Sequence, residues 1–269
     1  MSQVSWVFQR LDGKGALVAY VMGGDPDLAT SASVIDAVVR GGADMVEVGI
    51  PFSDPIADGK SIQAADVRSL ASGTTPDQVL DLVLGAKSRH RGVPMIAMTY
   101  YNILYSNGLG KFLEAARDHK VDGIIVPDLP FDEMQEYAAL ARRFGLDAIL
   151  LAAPTTSPKR MKAIAAHTSG FLYLVSLTGV TGARSDVQKS TVGLIGFAKK
   201  YAKKVPLGVG FGISTPEHVR AILAAGAEAV VVGSAIVDIV ATCQSDGPVK
   251  MLANVESYVR SLKEATKGA

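Results

Sequence analysis

Between residues 43 and 50 the chain alternates in the manner of a β-strand, with Val46, Val48 and Ile50 on one side and Met45, Glu47 and Gly49 on the other. The apolar side suits a covering helix, so Glu47 points into the opposite interior, near the C-terminal end of the strand. A carboxylate in that position is costly unless water, a partner or a ligand meets it. Pro51 and Pro55 prevent the strand from continuing. The segment they occupy reads as a loop that carries a second acid, Asp58, back over the strand end.

The same periodicities organise the rest of the chain. Strands are expected over residues 16–22, 43–50, 94–100, 123–126, 148–152, 171–176, 206–210 and 229–232. Helical spacing is expected over 31–40, 61–69, from about 75, and over 109–118, 131–144, 157–167, 187–201 and 216–225, with closing helices from 235. A short helix over 3–11, with Val4, Val7, Phe8 and Leu11 at helical spacing, precedes the first strand. Thr75-Pro76 has the form of a helix cap with proline in the first turn. A weak repeat, Gly42-Ala-Asp-Met-Val, Val121-Asp-Gly-Ile-Ile, Gly145-Leu-Asp-Ala-Ile and Gly226-Ala-Glu-Ala-Val, marks four strand starts and supports topology only. Eight strands, each followed by a helix, predict an α/β fold with a parallel sheet, and favour a closed (β/α)8 or TIM barrel over an open one. Residues 1–269 read as one barrel domain, without a linker or low-complexity tract.

Composition narrows the function classes. Against 27 basic residues stand 26 acidic ones, a formal charge of +1, so nothing favours a polyanionic partner such as nucleic acid. Cys243 is the only cysteine, which excludes an intrachain disulfide and a multi-cysteine metal site and fits a reducing compartment. The first ten residues lack the form of a secretory signal, and no apolar run approaches the ~20 residues of a membrane span. The expected location is the cytoplasm, or an organelle if a transit peptide has been removed.

In such a barrel the loops that follow the strands line the active face. Two acids sit at the second junction. The late junctions are rich in glycine: 178–182 after the sixth strand, 210–214 after the seventh, and Gly233-Ser234 after the eighth. Glycines admit close backbone approach, and a following helix N-terminus offers unpaired N–H groups, so the three together describe a phosphate cradle that needs no lysine. Asp58, before Gly59, reads taken alone first as a turn residue. Asp128 lies near the same rim and fits a site role no better than ordering its own loop or capping the helix. Tyr20, Tyr100 and Tyr173 fit either a pocket wall or the core. His90, His119, His167 and His218 fall in or at the ends of predicted helices, without metal-ligand spacing, and read as structural or solvated.

The stretch Val46-Glu-Val-Gly-Ile-Pro-Phe-Ser-Asp-Pro-Ile-Ala-Asp-Gly59 resembles the signature of the tryptophan synthase α subunit family. The resemblance runs through Gly24-Asp25-Pro26, Tyr100-Tyr-Asn102, Val126-Pro-Asp128, Gly179-Val-Thr-Gly-Ala183, Gly210-Phe-Gly-Ile-Ser214 and Gly233-Ser-Ala-Ile-Val237, in order. It implies retro-aldol cleavage of indole-3-glycerol phosphate to indole and glyceraldehyde 3-phosphate, in tryptophan biosynthesis. It further implies Glu47 as general acid–base and Asp58 as the carboxylate that meets the indole N–H. By the same likeness Gly182, Phe211, Gly212, Gly233 and Ser234 form the phosphate site, Tyr20, Met98, Ile125 and Tyr173 wall the indole pocket, and Thr181 belongs to a loop that closes on substrate. The implied partner is the β subunit, in an α2β2 complex met through residues 51–58 and the sixth loop. Pyridoxal phosphate belongs to that partner, and no cofactor or metal is expected here. The resemblance leaves two other readings open, a stand-alone lyase releasing free indole and a catalytically silent allosteric partner. Met22-Gly23 and Leu177-Thr178 depart from the family pattern without touching the implied chemistry.

Overall fold

A computed structural model describes residues 1–175, 189–210 and 212–267. Nine parallel strands are present among them: β1 (Ala16–Met22), β2 (Met45–Gly49), β3 (Met95–Met98), β4 (Gly123–Ile125), β5 (Asp147–Ile149), β6 (Leu151–Ala152), β7 (Leu172–Val175), β8 (Leu207–Gly210) and β9 (Ala229–Val232). Their order is β5-β4-β3-β2-β1-β9-β8-β7-β6. The two ends of that list are consecutive in the chain and separated only by Leu150, whose carbonyl accepts from the Tyr173 amide at 2.9 Å. Ser169 N–H likewise donates to Ala148 at 2.9 Å. The predicted fifth strand is thus one strand broken for a single residue, and the eight-strand ring closes through it.

Alternation sorts the core into layers. Val18, Met45, Ile96, Ile125, Ile149, Phe171 and Val231 fill the barrel interior, where Val4 and Val7 of α1 (Gln3–Leu11) join them from below, with Phe8 and Leu11 alongside. Leu17, Ala19, Val46 and Val48 face outward, into the larger cluster that the helices cover. Residues 43–50 therefore divide as their alternation predicts, with Met45 and Glu47 inside. A small cluster of Tyr20, Met22, Ile62, Ala65 and Val237 closes over the upper end.

Helix starts follow their capping chemistry. Asp27 accepts from the Thr30 amide at 2.8 Å, which begins α2 (Leu28–Arg40) three residues before its apolar periodicity becomes evident. Thr75 and Gln78 form a reciprocal capping box at α4 (Pro76–Arg89). Between β2 and α4 lies α3 (Lys60–Ala71), packed on β1 and on α11 (Ser234–Ala241). A short helix, α5 (Tyr101–Asn107), is not evident in the sequence pattern. Its first amide, from Tyr101, donates to Asp128 Oδ1 at 2.7 Å, a cap supplied from 27 residues away. The helix expected from 131 begins at Met134 instead, because turn bonds from Glu133 and Met134 to Pro130 and Phe131 occupy the first positions. After α6 (Leu109–Asp118), α7 (Met134–Arg143) and α8 (Pro158–His167), the helix expected from 187 is described from Lys189, as α9 (Lys189–Lys199), and α10 (Pro216–Ala224) follows β8. No described helix is long and apolar enough to cross a membrane.

Candidate active site

Glu47 occupies the third position of β2, paired in register with Tyr20 of β1 and Ile96 of β3. It is 0% exposed, and neither carboxyl oxygen has a hydrogen-bond partner among the described residues. Burial pushes its carboxyl up to about 8. At neutral pH the side chain is therefore mostly an uncharged acid, able to donate a proton. Tyr20 and Tyr173 flank it. Burial holds both phenols well above their usual range, and the charge of Asp58 raises them further, so they remain neutral. Both tyrosines depend on glycine: a Cβ at Gly49 would run into the Tyr20 hydroxyl, and one at Gly210 into the Tyr173 hydroxyl. Met98, opposite Gly49 and Ile125 in register, touches both the interior cluster and the upper one.

Asp58 reaches the site from the loop after β2, as the two prolines imply. Its amide closes a turn on the Pro55 carbonyl at 3.1 Å, and its Oδ2 accepts from the Tyr100 hydroxyl at 2.8 Å. That hydroxyl also accepts from the Ala57 amide at 3.0 Å. The Tyr100 ring stacks on Phe52 with centroids 5.0 Å apart, so one tyrosine at the end of β3 ties down both ends of the loop. Burial pushes the Asp58 carboxyl up to about 6; the bond from Tyr100 opposes that rise, and the Asp128 carboxylate adds to it. Asp58 thus remains largely ionised at neutral pH while Glu47 is protonated. Two carboxyls with separated titrations are the arrangement expected of an acid and an electrostatic stabiliser.

The late junctions lie side by side, since Gly210 of β8 pairs with Val231 of β9. Gly233 forms the N-cap of α11 without a side-chain cap bond, so the amides of Ser234 and Ala235 have no intrahelical acceptor, while those of Ile236 and Val237 donate to the Gly233 carbonyl at 2.8 and 3.1 Å. Gly212 takes a positive φ of 67°. Ser214 N–H donates to His218 Nδ1 at 3.4 Å, so His218 has a structural part, steadying the seventh loop. Glycine turns beside a helix N-terminus are the kind of arrangement that suits an anion. Gly182, Thr181 and Phe211 lie outside the described residues.

Tyr20, Glu47, Met98, Ile125 and Tyr173 therefore share the barrel interior, Asp58 covers it, and Gly212, Gly233 and Ser234 occupy neighbouring junctions. Asp128 caps α5. Among the described residues no group of three or more His, Cys, Asp or Glu side chains is placed to hold a metal ion. Sequence reasoning missed the clamp formed by Tyr100 and Phe52, and it missed Asp66. That acid of α3 is buried on the same helix face as Ile62 and Ser69, a spacing that could have flagged it.

Comparison with known proteins agrees with this geometry. A family model described as "Tryptophan synthase alpha chain" matches residues 8–267. The tryptophan synthase alpha chain of Methanoregula boonei is 44% identical over 267 residues, covering 99% of each chain. That of Acaryochloris marina is 42% identical, covering 98% of each. Among solved structures, the tryptophan synthase A-subunit of Pyrococcus furiosus superposes with a TM-score of 0.85 at 39% identity, over 93% of this chain and 98% of its own. With a closed barrel, an acidic second junction and similarity over nearly its entire length, the chain belongs to the tryptophan synthase alpha chain family.

Proposed function

We propose that this chain cleaves indole-3-glycerol phosphate to indole and glyceraldehyde 3-phosphate, with Glu47 as general acid–base and Asp58 as the carboxylate that accepts from the indole N–H. The observation that carries this reading is the buried, unpartnered carboxyl of Glu47, with Asp58 placed so that both acids act on Tyr20 and Tyr173. Protonated Glu47 delivers its proton to C3 of the indole, giving a cationic indolenine. The bond from C3 to the glycerol carbon then breaks, and its electron pair returns to the ring. The hydroxyl on the departing carbon loses its proton to the newly formed Glu47 carboxylate and becomes the aldehyde, so the acid is regenerated. Ionised Asp58 stabilises the positive charge that develops at the ring nitrogen. Tyr20, Met98, Ile125 and Tyr173 supply the apolar walls. Gly212, Gly233 and Ser234 take the phosphate, together with Gly182 and Phe211, and Thr181 belongs to the closing loop.

The family's designation as an alpha chain supports a beta chain partner. We take the assembly to be α2β2, with pyridoxal phosphate on the partner, no cofactor on this chain, residues 1–269 forming one domain, and the cytoplasm as its compartment. The test is cleavage of indole-3-glycerol phosphate by the purified protein, with and without a beta chain. Wild type is expected to turn over and E47Q to lose about three orders of magnitude in kcat; near-normal turnover by E47Q would end the assigned role.

A further inference from the structure

Asp66 lies on α3, 2% exposed, and takes no part in the chemistry described above. Its Oδ1 accepts from the Phe52 backbone amide at 2.9 Å. Its Oδ2 is buried, with no hydrogen-bond partner among the described residues. Burial pushes the carboxyl up to about 7; the Phe52 amide opposes the rise, and the neighbouring Asp58 and Asp25 add to it. The nearby Arg68 is committed elsewhere, with Nε and Nη2 on the two carboxylate oxygens of Asp25 at 2.7 and 2.8 Å. An acid kept in such surroundings has a cost, and the group it holds is the start of the loop that carries Asp58.

Resting on the proposed function, we infer that Asp66 is a positioning residue for the lyase reaction: by fixing the Phe52 amide it sets Phe52 against Tyr100, and Tyr100 in turn sets Asp58. Each link is a direct contact, from the Phe52 amide bond through the 5.0 Å ring stack to the 2.8 Å bond on Asp58. The requirement is for an acceptor at Oδ1. A neutral isostere meets it, whereas a methyl group leaves the Phe52 amide unpaired and the loop free to shift. A displacement of an ångström at a group that acts in the transition state lowers kcat far more than it raises KM.

Steady-state cleavage of indole-3-glycerol phosphate by wild type, D66A, D66N and F52A tests this, with circular dichroism and thermal unfolding of each. Expected are a loss of about 10- to 100-fold in kcat for D66A with KM changed by less than about threefold, recovery of most of that loss in D66N, and a loss in F52A resembling that of D66A. Wild-type kcat in a folded D66A, or equal losses in D66A and D66N, would overturn the inference. F52A keeps Asp66 in place and breaks the next link, so wild-type kcat there overturns it as well, even if D66A does not fold. Absence of cleavage by the wild-type protein would instead reject the function on which the inference rests.

Discussion

The Tyr100 hydroxyl donates to Asp58 and accepts from the Ala57 amide, binding the side chain and the backbone of the same loop through one oxygen. Tyr100 is largely buried while the loop it holds is partly exposed, so the bond to Asp58 is made at the margin of the interior, where hydrogen bonds to charged groups are stronger than neutral ones.

That bond favours the ionised form of Asp58. With Asp58 needed as a carboxylate and Glu47 as an acid, kcat/KM for indole-3-glycerol phosphate should rise as pH passes about 6 and fall beyond about 8. Y100F removes the bond that lowers the Asp58 titration, so its acid limb should move to higher pH and its kcat/KM at neutral pH should fall roughly tenfold. A pH–rate profile of the variant checks both, and an unmoved acid limb would count against the Tyr100–Asp58 coupling.

Glu47 also leaves a signature in folding. A glutamate ordinarily titrates near 4.5, whereas Glu47 titrates near 8 in the folded chain, so between those values the native state holds a proton that the unfolded chain has released. Folding stability should therefore fall as pH rises through that window, by at most about 1.4 kcal/mol per pH unit. Glutamine does not titrate. Denaturant unfolding should show E47Q gaining on wild type as pH climbs from about 5 to about 8, with the gap closing at the acid end; a constant difference would refute the buried-acid assignment.

The tyrosines that flank Glu47 rest over strand glycines. Replacing Gly210 with alanine places a methyl group where the Tyr173 hydroxyl lies, and the ring must move or the strand must bend. G210A should cost about 1–3 kcal/mol of stability, the usual range for overpacking, and should weaken substrate binding. Thermal unfolding and KM measure the two effects. G233A, whose new methyl group would meet the Tyr20 Cβ only at 3.3 Å, should be milder.

Much of this was legible in the chain because it depends on neighbours in sequence. Strand alternation alone turned Glu47 inward, Thr75-Pro76 announced a helix start, and the periodic segments gave the eight-fold alternation. Contacts made across the fold were hidden. The clamp on Asp58 comes from a tyrosine 42 residues away, so its local setting before Gly59 read as a turn. The start of α5 rests on Asp128, and the break at Leu150 arises where one strand serves two neighbours in a closing ring. Asp66 sits between these extremes: its place on the buried face of α3 was readable, but the amide it holds was not.

The barrel is a cup, not a tube. Val4, Val7, Phe8 and Leu11 of the N-terminal helix fill its floor together with the lowest interior residues, so solutes exchange at the rim where residues 51–58 lie. On the proposed function, a product formed at Glu47 leaves past the same loop that carries Asp58. Catalytic alignment and product escape then depend on one tethered loop, and whatever settles on that rim governs both.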